Sequence, residues 1–288
     1  MKRAYLPLAL SSIVLWSFLA YLGAELNRFP PLFITGVALT LSGLLSLFRA
    51  RHWKIPFKTL LVGVGGIFGY HAFYFSALHH APAVEANLVN YLWPLLIVLF
   101  TPLFFKGVSL LPHHLLGAFL GFAGAALVIT QGHLAFSTAY LTGYLFALLA
   151  AMTWAGYSLT TKKLASFPSS AVGAFCLVSG ILALTLFSTQ GGIPATLARL
   201  DPRDWINLIL LGLGPLGFAF FTWDAALKRG DPRVIGALTY LTPLLSTLIL
   251  VKGGGHPFTT PTAFGMAAIV TGAALGSFDL FRTGKAET

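Results

Sequence analysis

The chain has 288 residues, 57% of them hydrophobic and 9% charged, with a mean hydropathy of +0.82 and a net charge of +10. A soluble domain carries about a quarter charged residues, so this composition excludes a soluble enzyme and places the chain in a lipid bilayer. The single cysteine, Cys176, excludes a disulfide framework and a thiolate metal site.

A bilayer-spanning helix takes roughly 20 mostly apolar residues. Apolar blocks between charged or Pro/Gly breaks predict ten spans, at 4–24, 30–48, 57–78, 83–105, 110–130, 139–159, 170–189, 205–227, 233–251 and 259–281. Lys2 and Arg3 precede the first block as they would in a signal peptide. That block is of full span length and others follow at once, so it reads as an uncleaved helix. The connections are short and leave no extramembrane domain.

In chain order, the first span carries Trp16 near its middle, too deep for an interfacial aromatic belt. The third carries Tyr70, His71 and Tyr74, with the two tyrosines one helical turn apart. An intramembrane histidine is a functional candidate; hydrogen-bonded neutral to a neighbouring helix, it would be structural, and both readings stand. The fourth span opens with NLVNYLWPLL at 87–96, where Asn87, Asn90, Tyr91 and Pro94 fall on one helical face flanked by Trp93. Lipid cannot hydrogen-bond an amide, so this face is expected to line a cavity or to bond a neighbouring helix. The sixth span repeats the mid-span tryptophan as Trp154, with Tyr157 three residues on. In the eighth, Asp224 precedes Lys228 by one turn, the spacing of an ion pair. The ninth carries GALTYLTPLL at 236–245, a milder version of the fourth-span stretch, with Tyr240 and Pro243. Pro94 and Pro243 each remove a ladder hydrogen bond and are candidate hinges. The fifth and tenth spans offer small surfaces at Gly117, Gly121 and Gly124, and at Gly265, Gly272 and Gly276, for close packing in a dimer or, the favoured reading, within the chain.

Basic residues resist translocation. With a cytoplasmic N-terminus, the outer loops carry only Arg28, Arg199, Arg203 and Lys252 of the 18 Lys and Arg residues. Both termini are therefore predicted cytoplasmic. The positive charge then reflects topology rather than nucleic-acid binding.

The two similar stretches belong to a longer self-similarity. At an offset of 149, Tyr91 and Pro94 meet Tyr240 and Pro243, and Gly63 and Gly65 meet Gly212 and Gly214. At an offset of 138, Trp16 meets Trp154 and Phe29-Pro30 meets Phe167-Pro168, which places extra residues of the second half in loop 190–204. The expected fold is all-α: ten transmembrane helices arranged as two five-helix repeats, 1–130 and 139–282, with a linker at 131–138 and a cytoplasmic tail at 283–288. An odd number of spans per repeat gives the halves opposite orientation, and carriers of this build bind substrate near the midplane between halves.

The tryptophans of the first and sixth spans, the prolines of the fourth and ninth, and the glycine-rich fifth and tenth together resemble the EamA-type drug/metabolite transporters over nearly the whole chain. Within that superfamily VNYLWPLL most resembles the aromatic amino acid exporters of bacterial inner membranes. The resemblance implies export of aromatic and other apolar amino acids by alternating access through a central cavity. Residue chemistry supplies a candidate binding set for it: Trp16, Tyr70, His71, Tyr74, Asn87, Asn90, Tyr91, Trp93, Trp154, Tyr157 and Tyr240. No phosphate-binding G-x-x-x-x-G-K-[ST] loop, H-E-x-x-H motif or buried carboxylate pair appears, so no ATP, cofactor or metal is expected, and no catalysis. A monomer in the bilayer is favoured. The alternatives are a carrier for a cationic drug or nucleotide precursor, a lipid-acting membrane enzyme, and a channel.

Overall fold

The computed structural model describes residues 4–53, 55–164, 167–254 and 258–279. The tail 283–288 and the basic residues Lys2, Arg3, Lys54, Arg282 and Lys285 lie outside the described residues. Among the described residues every regular element is helical. Helices α1 (Tyr5–Ser17) and α2 (Leu19–Glu25) form one interrupted stretch, followed by α3 (Pro31–Leu45), a 3-10 turn at Leu47–His52 and α4 (Phe57–His80). Helices α5 (Ala83–Asn90) and α6 (Trp93–Phe104) are separated only by Tyr91 and Leu92, and α7 (Pro112–Thr130) follows. The second half runs through α8 (Leu141–Lys163), α9 (Val172–Ser188), a short α10 (Ile193–Leu197), α11 (Pro202–Leu213) and α12 (Ala219–Arg229), with a π-helical segment at Gly214–Phe218 between the last two. It ends with α13 (Pro232–Thr239), α14 (Leu241–Gly254) and α15 (Thr260–Gly276).

Eight helical stretches are long and apolar enough to cross a bilayer. Pro31–Leu45 and Thr260–Gly276, where the second and tenth spans were expected, are apolar but shorter, at 15 and 17 residues. For α3 the difference arises because the chain tightens into the 3-10 turn at Leu47–His52 before the apolar block is exhausted. Prolines mark helix starts, where a missing N–H costs nothing: Pro31, Pro112, Pro202 and Pro232 all sit in first turns. Asp201 caps α11 by accepting from the Asp204 N–H at 2.9 Å, and Asp204 accepts from the Asp201 N–H at 2.9 Å.

The main packing runs between the two halves of the chain. Helix α7 lies along α15, α3 along α9, α4 along α8, α1 along α12, and α6 along α13. The α7–α15 seam depends on glycine. A β-carbon on Gly124 would stand 2.6 Å from the Gly265 carbonyl oxygen, and one on Gly265 would stand 2.7 Å from the Gly124 carbonyl oxygen. The small surfaces of the fifth and tenth predicted spans are thus spent on each other. Beyond the helix ends, Arg28 pairs with Asp201 at 3.0 Å and with Asp204, while Arg203 pairs with Glu25 at 2.7 Å. These pairs tie the α2–α3 loop to the start of α11. Hydrogen bonds to Asp204 and Asp201 hold the Arg28 guanidinium above its ordinary range. The Asp201 carboxyl is held below the usual carboxylate range, first by the Asp204 backbone N–H and then by Arg28.

Candidate functional site

Four tryptophans from four helices meet in the middle of the molecule. Trp16 of α1 stands 5.9 Å from Trp93 of α6, 5.9 Å from Trp154 of α8 and 5.1 Å from Trp223 of α12, between ring centroids. Trp93 lies 6.3 Å from Trp154 and 5.6 Å from Trp223. Most of these contacts are edge-to-face, the arrangement that brings a ring's positive rim onto a neighbour's negative face. All four are buried, and Phe220 closes the group at 5.3 Å from Trp154.

Two of the indole N–H groups have partners, one of them where the sequence itself deforms the helix. Pro215 cannot donate, and around it the chain widens into the π-helical segment. The Pro215 carbonyl accepts from Trp16 Nε1 at 3.0 Å. Trp223 Nε1 donates to Ser158 Oγ at 3.0 Å.

From this cluster an aromatic column continues along α4. The Tyr70 ring lies 5.2 Å from Trp154, and Tyr74 stacks on Tyr70 at 5.9 Å with the planes 2° apart. The two hydroxyls reach the polar face of α5. Tyr74 Oη donates to Asn87 Oδ1, and Asn90 Nδ2 donates to Tyr70 Oη at 3.2 Å. Asn90 is 5% exposed, and its Oδ1 has no hydrogen-bond donor among the described residues. His71 sits edge-on to Tyr70 at 5.0 Å, and its Nδ1 donates to the Ile67 carbonyl at 2.7 Å, one turn back on its own helix. Tyr157 lies 5.4 Å from Trp154, between α8 and α4.

Of the residues singled out in the sequence, Trp16, Tyr70, His71, Tyr74, Asn87, Asn90, Trp93, Trp154 and Tyr157 come together here. Tyr91 is half-buried in the turn between α5 and α6. Tyr240 sits apart, in a second buried cluster with Leu95, Val98, Val128 and Ile269. Pro94 falls in the first turn of α6 and Pro243 in that of α14, so both chain breaks lie just before the prolines. Trp223, Phe220 and Ser158 were not expected. The 149-residue offset was the available signal, because it carries Tyr74 to Trp223 and His71 to Phe220.

The remaining charges do not converge on this region. Asp224 pairs with Lys228 at 2.7 Å, as the spacing predicted. Two imidazoles and a carboxylate do cluster, where His113 Nε2 and His114 Nε2 stand 3.2 and 3.1 Å from Asp279. The Leu111 N–H donates to His114 Nδ1, so the His114 proton is on Nε2 and is spent on Asp279. This trio joins the start of α7 to the chain beyond α15.

The EamA-like transporter family profile matches residues 3–130 and again residues 141–278. The chain belongs to the EamA-like transporter family. It is 38% identical over 277 residues to the aromatic amino acid exporter YddG of Ancylobacter novellus, covering 93% of this chain and 94% of that protein. The aromatic amino acid exporter YddG of Escherichia coli is 28% identical over 259 residues, covering 84% of this chain and 86% of that one. A solved crystal structure superposes with a TM-score of 0.88 at 36% identity, covering the whole of both chains. This EamA-family chain is thus a multi-pass membrane protein whose relatives are transporters.

Proposed function

We propose that the protein exports aromatic and other apolar amino acids across the bacterial inner membrane by alternating access. It would do so as two inverted five-span halves, 1–130 and 139–282, joined by 131–138, with both termini in the cytoplasm. The inverted arrangement is supported by the helix contacts, which come in pairs related by exchanging the halves. The pairs α3–α9 and α7–α15 map onto themselves, α4–α8 maps onto α12–α1, α4–α9 onto α11–α3, and α6–α8 onto α14–α1. The cargo class is supported by the names of the two related exporters.

The observation that carries the reading is the aromatic column and the amide beside it. A substrate ring entering between Tyr70, Trp154 and Trp93 replaces ring–ring contacts of about 0.5–1.5 kcal/mol with its own. The Asn90 Oδ1, buried and without a donor among the described residues, is placed to accept from the substrate ammonium. An acceptor left unpaired in such a place costs about 1–3 kcal/mol, so the amide rewards a ligand that brings a donor. Tyr74 and Tyr70 fix the two asparagines in position. Pairwise contact among the four tryptophans closes the pathway on one side of the column, and rocking of one half against the other would part them.

Counterflow of labelled phenylalanine in proteoliposomes tests this. Saturable counterflow, lost when Trp154 and Trp93 are both replaced by alanine, is expected. Flux that rises linearly with concentration would make the protein a channel, and intact flux in the double variant would remove the column from the pathway.

A further inference from the structure

Tyr240 is buried completely and far from the aromatic column in sequence, yet its hydroxyl enters the backbone of the other half. The Leu95 N–H donates to Tyr240 Oη at 3.1 Å, and Tyr240 Oη donates to the Tyr91 carbonyl at 3.3 Å. In an unbroken helix the Leu95 N–H would bond the Tyr91 carbonyl directly. The hydroxyl therefore stands in the place of one main-chain hydrogen bond and satisfies both of its ends. Pro94 already removes the neighbouring rung, because it has no N–H for the Asn90 carbonyl. The ladder shifts register at the same point, where the Leu92 N–H turns to Val89 at 3.1 Å.

Proline alone explains one missing rung; the second is held open from outside. Two adjacent losses separate α5 from α6 and set the direction in which Asn90 and Tyr91 project. The ring of Tyr240 is seated against Gly121 of α7, so the hydroxyl is fixed from behind.

We infer that Tyr240 is a positioning residue: its hydroxyl clasps the α5–α6 break open, and so lets the second half of the chain set the binding face of the first. The inference rests on the reading that Asn90 faces substrate, but the clasp itself is measurable without substrate. Without the hydroxyl, the Leu95 N–H and Tyr91 carbonyl are buried and unpaired, and they regain a partner by closing on each other, which straightens the span.

The experiment uses the full chain with spin labels at Val84→Cys and Leu103→Cys, exposed positions on either side of the break. The distance distribution is measured with and without Tyr240→Phe, and phenylalanine counterflow is measured on the unlabelled pair. A shift to longer distances in Tyr240→Phe is expected, together with a rise in KM of about 2- to 10-fold, the range for losing one hydrogen bond. An unchanged distance distribution overturns the clasp whatever the flux does. A shifted distribution with unchanged KM establishes the clasp and removes the α5 face from the substrate site, which separates the two readings. If Tyr240→Phe does not fold, Gly121→Ala provides the second variant, because a β-carbon there would stand 2.5 Å from the Tyr240 ring and displace a hydroxyl that is still present. The same lengthening is expected, and its absence overturns the clasp.

Discussion

Asn90 is the residue at which the binding hypothesis is most exposed. Its amide nitrogen is committed to Tyr70, and its oxygen has no donor among the described residues. Asn90→Leu keeps the size and removes the acceptor, so KM for phenylalanine counterflow should rise about tenfold or more, as expected for a hydrogen bond to a charged group. The maximal rate should change less. Tyr74→Phe tests the support of Asn87 in the same assay; because it removes only one neutral hydrogen bond, a smaller rise of about 2- to 10-fold is expected. The polar face of α5 was legible in the sequence because amides are costly against lipid. Trp223 was legible only through the repeat, as the mate of Tyr74. The use made of Tyr240 was not legible at all. It is the repeat mate of Tyr91, and nothing in the sequence says that one tyrosine sits half-buried in a turn while the other enters a helix backbone.

At the scale of elements, two contacts between the halves depend on different physics. The α7–α15 seam depends on absent side chains, and Gly124→Leu would drive a branched chain into the Gly265 backbone. Overpacking of this kind costs about 1–3 kcal/mol or more, and a lowered melting temperature in detergent is the expected result. The link between the α2–α3 loop and α11 depends on charge. Asp201 has a folded-state pKa below its unfolded value. Its contribution is therefore present above the ordinary carboxylate range and is lost as pH falls through and below that range. Melting temperatures of the wild type and Asp201→Asn should differ at neutral pH and converge as pH falls below the ordinary carboxylate range. A constant gap would assign the effect to something other than this ionisation. The helix breaks themselves were half legible. Pro94 and Pro243 announce them, but a proline perturbs the carbonyl one turn before it, so each break falls upstream of the proline.

For the whole molecule, the testable statement is topology. His79 lies at the exposed end of α4, and Lys106 is exposed just past α6, one span later. Cysteines at these two positions should be labelled by an impermeant reagent from opposite faces of the membrane, His79→Cys from outside. Cys176 is buried and should remain silent. Labelling of both from one face would break the ten-span reading. The number of apolar blocks made the all-helical, multi-pass character readable, because bilayer thickness acts on composition alone, while the bias of Lys and Arg carries the proposed orientation. The pairing of helices was not readable in that way, since apolar faces of similar composition do not specify which neighbour they meet.

The four converging indoles give the protein an optical signature of its own. Chromophores about 5–6 Å apart, held at fixed angles by bonds to Pro215 and Ser158, share their excited states. Their near-ultraviolet circular dichroism therefore depends on mutual geometry rather than on each ring alone. Phenylalanine absorbs too weakly in that band to obscure it. If the rings separate when the carrier turns over, adding phenylalanine should collapse the signal, and Trp223→Phe should weaken it before any ligand is added. The passage of cargo could then be followed without attaching a dye.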